Sequence, residues 1–325
     1  MTPAQKYEND KLDIDALTAI DVALDDAIPI SDASDSNKAK KLAISRLLNM
    51  CFPAQGRLTL VSGDPCPTTN QTTKTNLYYT PHIGNHISLF DGTRWILYSF
   101  SELTLDLTGY TASKPYDIWI YSNSGTPTLD STVWTSDSAR ATALTLQDGL
   151  YVKDGDTTRR YLGTIRITGT AGQCEDSFNN RFVWNYYNRI KRIGMCGNTT
   201  NSWTYAVSAG RECNGGTGAL RFTFVVGVSE IIIEMESSMY MVTGTGNNGY
   251  GGIFGSAEGQ YYAQCANASN IIYYGLYGPK CCFYPAPGVH YLYSWEYRAS
   301  GTITNYGYSS TTTTGYCGAP FEWEG

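Results

Sequence analysis

From Val289 to Arg298 the chain alternates. Val289, Tyr291, Tyr293, Trp295 and Tyr297 are large and apolar, and His290, Ser294, Glu296 and Arg298 between them are polar. A period of two belongs to a β-strand, because successive side chains leave the pleat on opposite sides. A helix would scatter the same rings around its circumference. The pattern predicts a strand with its aromatic face in a core and its polar face in water.

The signature recurs along most of the chain. Arg57–Val61, Leu77–Tyr79, Ile87–Phe90, Trp95–Phe100, Ile118–Tyr121 and Tyr161–Ile167 are short apolar or alternating runs. Asp91-Gly92 stands between two of them, and Asp148-Gly149 and Asp154-Gly155 mark further turns. Asp-Gly closes hairpins because glycine takes a positive φ at no steric cost. More strands are expected at Trp203–Val207, Leu220–Val228, Ile231–Met235, Ile271–Tyr274 and Thr302–Tyr308. Composition points the same way. Only 16% of the 325 residues are charged, with 33 Gly and 26 Tyr in their place, where an average soluble domain has roughly 25% charged residues. Such chains suit strands and tight turns better than helices. The expected fold class is mainly β, with antiparallel β-sandwich domains and a jelly-roll-like C-terminal head.

Two segments depart from that pattern. Residues 1–55 carry many charges and almost no aromatic rings. Ile14, Leu17, Ile20 and Leu24 recur at helical spacing, with Asp13 as N-cap. Pro29 stops any helix, Ile28-Pro29-Ile30 is extended, Asp32–Asn37 is a polar turn, Lys38–Ile44 is a second strand, and Ser45 caps a short helix. So small a segment buries little alone; it docks on another surface or intertwines with its own copies. Residues 173–195 are predicted to be a connecting helix, since Phe178, Phe182, Tyr186 and Ile190 fall four apart. That stripe packs either on its own chain or on the same helix of neighbouring subunits around a threefold axis. The expected organisation is a docking segment at 1–55, a β-sandwich at 56–172, the helix at 173–195 and a second sandwich at 196–325.

The chemistry-bearing residues point away from catalysis. Gly244-Thr245-Gly246-Asn247-Asn248-Gly249 spells the dinucleotide fingerprint, but Tyr250-Gly251-Gly252 follows where a helix must start, so a Gly-rich surface loop over Gly244–Gly259 is expected. His82 and His86 are four apart, yet Pro81 and Gly84 oppose the helix that would aim both at one metal. Glu234 and Glu236 share a strand face; paired carboxylates can hydrolyse glycosides, but two acids on a solvent face are commoner. Neither a nucleophile elbow nor a P-loop lysine occurs. The richest basic run, Arg189–Arg192, is expected to be a solvated helix end. A net charge of −6 argues against a nucleic-acid partner. No cofactor and no metal is expected. Residues 1–15 are polar, and no apolar run reaches the 18 residues of a membrane span, so cytosolic synthesis without a span is expected. The nine cysteines contain no CxxC pair and only three His accompany them, which leaves zinc unsupported. Most thiols are expected to be small buried hydrophobes. Tyr250, Tyr261, Tyr262, Tyr306 and Tyr308 sit in Gly-rich stretches, where rings are suited to stacking on sugars or proteins.

Several segments together resemble a known family. Ile28-Pro29-Ile30-Ser31-Asp32-Ala33-Ser34-Asp35-Ser36-Asn37, followed by Lys40-Lys41-Leu42, resembles the N-terminal segment of phage fibre proteins. Phe182-Val183-Trp184-Asn185-Tyr186-Tyr187-Asn188-Arg189, then Ser202-Trp203-Thr204-Tyr205 and Arg211, looks like a phage virion-protein domain. Gly288-Val289-His290-Tyr291-Leu292, Glu296-Tyr297 and Gly301-Thr302 are similar to that domain's end, and Tyr116-Asp117 and Tyr161-Leu162-Gly163-Thr164 to the β-domain before it. The resemblance is to tailed-bacteriophage virion fibre and decoration proteins. It implies a homotrimer located in the virion, β-sandwich heads, and an N-terminus fixed to other virion proteins. Docking then falls on Ile28, Pro29, Ile30 and Asp32, and trimer packing on Phe178, Phe182, Tyr186 and Ile190. The chain lacks the long repetitive shaft of the usual fibre, which favours a short appendage on tail, neck or head that attaches to a bacterial surface glycan or protein. The alternatives are a purely structural capsid cement and a glycan-degrading spike enzyme. A particle released by lysis meets an oxidising medium. Cys281 and Cys282, adjacent and so on opposite strand faces, are then candidates for intersubunit disulfides; the other outcome is nine reduced, buried thiols.

Overall fold

The computed structural model describes residues 27–32, 38–43, 52–197, 200, 202–216, 221–229, 233–236, 239–243, 248–255, 259–261, 273–277, 280–283, 285–306 and 318–324, with side chains for 52–192 and for most of 202–229 and 285–304. The chain divides into two compact units, Met1–Phe52 and Pro53–Gly325. In the first, β1 (Ala27–Asp32) pairs antiparallel with β2 (Lys38–Ala43), placing Ile28 opposite Leu42, Pro29 opposite Lys41, Ile30 opposite Lys40 and Asp32 opposite Lys38. The helices expected around Ile14–Leu24 and after Ser45 lie outside the described residues, as do the side chains of Ile28, Pro29, Ile30 and Asp32.

The second unit is mainly β, built from sheets that are antiparallel except where the short strand Asn180–Arg181 pairs parallel with Arg221–Val226, and that pack as sandwiches. Its first half runs β3 (Gly56–Thr59), β4 (Gln71–Lys74), β5 (Asn76–Pro81), β6 (His86–Phe90), β7 (Trp95–Ser99), β8 (Leu103–Asp106), β9 (Pro115–Asn123), β10 (Thr126–Val133), β11 (Leu144–Gln147), β12 (Leu150–Lys153) and β13 (Asp156–Arg166). The Asp-Gly signals close hairpins as expected. Asp91 accepts the amides of Thr93 and Arg94, both at 2.8 Å, between β6 and β7. Asp148 and Gly149 are both left-handed, at φ 52° and 83°, between β11 and β12, the mirror-image turn whose twist matches the flanking strands.

The sheet β10-β9-β13-β12-β11 is central and carries a core on each face. Residues 115–120 of β9 are buried without a break, because alternate side chains enter different cores. Tyr116, Ile118 and Ile120 join Leu162 and Ile165 of β13 and Leu58, Leu77, Tyr79, Ile87 and Leu89 from the strands covering one face. Trp119 and Tyr161, with ring centroids 5.6 Å apart, enter the second core with Trp184, Phe222, Phe224 and Leu292. Each such ring withdrawn fully from water contributes roughly 1.5–3 kcal/mol.

The connecting helix is not there. Residues 174–185 form β14 (Cys174–Asp176), β15 (Asn180–Arg181) and β16 (Val183–Asn185), which pair with β4, with the later strand Arg221–Val226 and with β13 respectively. Phe178, Phe182, Tyr186 and Ile190 therefore form no common stripe. Phe182 lies in the first core, Tyr186 packs against the second, Phe178 is 36% exposed beside Arg181, and Ile190 is half-buried. The cause is long-range hydrogen bonding. The Asn185 carboxamide accepts the Leu58 amide at 2.7 Å and donates to the Leu58 carbonyl at 3.1 Å. Asn188, left-handed at φ 52°, donates to the carbonyls of Ala54 and Gly56. Asn competes for backbone partners in this way and is a poor residue for a helix interior. Two of these strands, β14 and β15, join β4 from the first half of the unit to the sheet of the second half, while β16 joins the central sheet through β13.

The remaining strands are β17 (Lys191–Gly197), β18 (Ser202–Tyr205), β19 (Gly210–Glu212), β20 (Arg221–Val226), β21 (Ile233–Glu236), β22 (Met239–Thr243), β23 (Asn248–Gly255), β24 (Gly259–Tyr261), β25 (Tyr273–Tyr277), β26 (Lys280–Phe283), β27 (Gly288–Ser300), β28 (Ile303–Tyr306) and β29 (Gly318–Glu324). One sheet runs β24-β23-β27-β20-β15-β14-β4, with β19 also on β27. The others are β17-β29-β21-β26 and β18-β28-β22-β25. The Gly-rich stretch expected as a loop contains the eight-residue strand β23, which pairs with β27 over most of its length. Glycine in a strand commonly marks close approach of neighbouring groups, and Gly252 stands directly opposite Trp295.

Candidate functional site

The strand β27 has 13 residues and is held on both edges. One edge pairs first with β20 and then with β19; the other pairs with β23. Its two faces are assigned opposite to the sequence expectation. The face carrying His290, Leu292 and Glu296 is the buried one, at 8%, 0% and 0% exposure, whereas Tyr291, Tyr293, Trp295 and Tyr297 are only half-buried.

The polar residues on the buried face are satisfied one by one. The His290 Nε2 lies 2.6 Å from the Ala286 carbonyl, and its ring packs near Phe224. Glu296 accepts the Trp203 indole N–H at 2.8 Å and Arg211 Nε at 2.7 Å, and the Arg211 guanidinium lies 3.9 Å from the Tyr205 ring centre. A buried charge is tolerated when paired and hydrogen-bonded in this way. Burial nevertheless pushes the Glu296 carboxyl above its usual range, against the pull of Trp203 and Arg211. A folded-state value above the unfolded one means that the folded chain holds the proton more tightly. This group's contribution is then full below the unfolded value and declines as pH rises through the window up to the folded value. Melting temperatures of Glu296→Gln should accordingly fall less than those of wild type as pH rises above the ordinary glutamate value. Parallel pH profiles for the two proteins would rule out this assignment.

The opposite face is an aromatic strip. Tyr291 and Tyr293 are near-parallel, 5.9 Å apart at 15°, and Trp295 and Tyr297 repeat the arrangement at 5.9 Å and 12°. The Arg221 guanidinium, from β20, sits 4.6 Å from the Tyr291 ring centre and 5.5 Å from that of Tyr293, while its Nη2 pairs with Glu212 at 2.5 Å. Gly210 on β19 makes room for the indole: a Cβ there would stand 2.3 Å from Trp295 Nε1. The strip thus combines stacked rings, a cation held against two of them and a carboxylate alongside. Flat aromatic surface of this kind can stack on apolar ring faces, and the partly exposed Arg221 guanidinium can orient polar substituents, with Glu212 buried behind it.

Other sequence candidates fall elsewhere. His82 follows β5 in a turn and lies 3.7 Å, through Nδ1, from the Cys66 sulfur; His86 opens β6. Glu234 and Glu236 belong to β21, with Glu234 opposite Cys282 and Met235 opposite Cys281 in register, and the side chains of all four lie outside the described residues. Among the described residues no group of three or more His, Cys, Asp or Glu is placed to hold a metal, and no helix is long and apolar enough to cross a membrane. The basic run at Arg189–Arg192 is not a solvated helix end. Arg189 packs over Trp184, and Arg192 is 9% exposed, bonded to the Pro67 carbonyl and 3.5 Å from Asp176. Sequence reasoning also passed over Arg140, whose guanidinium reaches Asp117 and the Gly227 carbonyl inside the fold.

No family model matches the chain, and no curated protein does. Among solved structures, BuGH86wt in complex with neoagarooctaose is similar at 8% identity and a TM-score of 0.23, over 78% of this chain and 34% of the other. The VP2 subviral particle of infectious bursal disease virus is similar at 8% identity and a TM-score of 0.23, over 83% and 71%. The insecticidal delta-endotoxin Cry8Ea1 of Bacillus thuringiensis reaches 9% identity and a TM-score of 0.20, over 93% and 59%. This chain spans about a third of the first of these. Likeness at this level assigns no function.

Proposed function

We propose that the chain is a non-enzymatic component of a tailed-bacteriophage virion, a short homotrimeric appendage on tail, neck or head, whose aromatic face on β27 binds host-surface saccharide. One observation carries the binding assignment: four aromatic side chains in a row on one strand face, half-buried, where alternation alone would put them in a core. The sequence resemblance of the segments around Ile28–Asn37, Phe182–Arg189 and Gly288–Thr302 supports the placement in a virion. A trimer presents the strip three times, and multivalency raises weak single-site stacking to useful avidity.

The test is binding of the full chain to purified host-surface polysaccharide. Trp295→Ala should weaken binding by about 2 kcal/mol or more, roughly 30-fold, as truncation of an aromatic anchor does. Unchanged binding by Trp295→Ala would move the site elsewhere. No binding at all would favour a cement role. Release of oligosaccharides during the incubation would make the chain an enzyme and overturn the proposal.

A further inference from the structure

The loop Asp64–Pro67, between β3 and β4, is held in place at consecutive backbone groups. The Asp64 carbonyl accepts Thr59 Oγ1 at 2.8 Å, the Pro65 carbonyl accepts Arg57 Nη1 at 3.0 Å, and the Pro67 carbonyl accepts Arg192 Nη1 at 2.5 Å. The Cys66 amide donates to Asp64 Oδ1 at 2.9 Å. Two buried guanidinium groups, Arg57 at 1% and Arg192 at 9% exposure, therefore grip a loop whose central residue is a half-exposed thiol. That thiol has two functional neighbours. The His82 Nδ1 lies 3.7 Å from Sγ, and Arg57 Nη1 lies 4.0 Å from it.

We propose that Cys66 and His82 form a thiol–imidazole pair that undergoes exchange with low-molecular-weight disulfides, making Cys66 a site of reversible covalent modification. Four points support this chemistry over the alternatives. A metal is disfavoured because a guanidinium occupies the position beside sulfur where a second cation would be repelled. Burial, with Arg57 second, holds the His82 imidazole below its ordinary value, so near neutrality it is uncharged and able to accept a proton. Arg57 is itself lowered by burial and by Arg192, to about 10, and still carries its charge at neutral pH. Cysteines placed beside Arg and His are the reactive ones, and buried ones are inert. Cys174 and Cys213 are buried, and burial pushes the Cys174 thiol far up.

The exchange balances without any further oxidant. Cys66 Sγ attacks one sulfur of the disulfide, the S–S bond breaks, and a new bond joins Sγ to the attacked sulfur. The proton that leaves Cys66 passes to His82 and from there to the departing thiolate. One thiol and one disulfide enter, and one thiol and one mixed disulfide leave.

The probe is oxidised glutathione, applied briefly at neutral pH to the full chain, with mass spectrometry resolving the adduct at each cysteine. Cys66 should be modified faster than Cys174 and Cys213 in the folded chain. In His82→Ala, checked for an unchanged circular-dichroism spectrum, its rate should fall by about 100-fold, the usual loss on removing a positioned proton acceptor. In urea, Cys66 should react no faster than the other eight. A Cys66 rate in the folded chain equal to that in urea would overturn the proposal, and so would a folded His82→Ala protein with undiminished rate. If His82→Ala does not fold, the comparison of folded with urea-treated wild type decides alone.

Discussion

Asp117→Ala should cost the folded chain about 3–5 kcal/mol, because it strands a largely buried guanidinium and empties a fully buried site. Asp117 is 1% exposed on β9, in the second core's layer. Its carboxylate accepts Arg140 Nε at 2.8 Å, Arg140 Nη2 at 3.2 Å and Thr164 Oγ1 at 2.7 Å. Arg140 spends its remaining reach on the Gly227 carbonyl at 2.5 Å and lies 4.4 Å over the Trp134 ring centre. Gly227 follows β20, so this pair ties the central sheet to the sheet that carries the aromatic strip. Removing the carboxylate takes the paired anion from a guanidinium that is only 14% exposed. Removing both charges at once is a different matter, since the desolvation cost disappears with them. Asp117→Leu combined with Arg140→Met should recover most of the loss. Urea unfolding of the three proteins measures this. A loss below about 1 kcal/mol for Asp117→Ala would reduce the pair to the rank of a surface ion pair.

Gly163→Ala is expected to be as severe for a steric reason. Gly163 lies in β13 opposite Asn185 of β16 and beside a register shift against β9. A Cβ there would come within 2.1 Å of the Trp184 carbonyl oxygen and 3.2 Å of the Asn185 Cα. Both obstacles are backbone, so no rotamer change relieves them, and β16 must leave β13. Trp184 and Val183, one in each core, would leave with it. The expected loss exceeds about 4 kcal/mol, or the chain fails to fold. Gly109→Ala is the control: nothing lies within 4 Å of a Cβ there, and a change within about 0.5 kcal/mol is expected. Comparable midpoints for Gly163→Ala and Gly109→Ala would show that β16 is not packed on β13 as described.

Much of the β architecture was legible because its causes are local. Asp91-Gly92 and Asp148-Gly149 specify turns through the φ values that glycine and aspartate tolerate, whatever lies around them. Ile118–Tyr121 and Tyr161–Ile167 have enough β-branched and aromatic residues to form strands in most surroundings. The segment 173–195 misled because four apolar residues at a spacing of four also arise when a chain threads two cores in turn. Nothing local announces that Asn185 will bond Leu58, 127 residues away in sequence. The strand at Asn248–Gly255 was hidden for the complementary reason: its glycines have no propensity of their own, and a neighbouring strand imposes the conformation.

The candidate site divides along the same line. Alternation over Val289–Arg298 determined by itself that β27 would be a strand and that Tyr291, Tyr293, Trp295 and Tyr297 would share one face, since both follow from the pleat. It could not determine which face would be inward. Hydrophobicity alone chose the aromatic one, and the tertiary structure chose the other, because Trp203 and Arg211 satisfy Glu296, Ala286 satisfies His290, and Leu292 completes a core with Phe222 and Phe224. A buried carboxylate is costly only while it lacks partners, and those partners come from strands distant in sequence. The same is true of Cys66 and His82, which are 16 residues apart in sequence, across β4 and β5, and 3.7 Å apart in the fold.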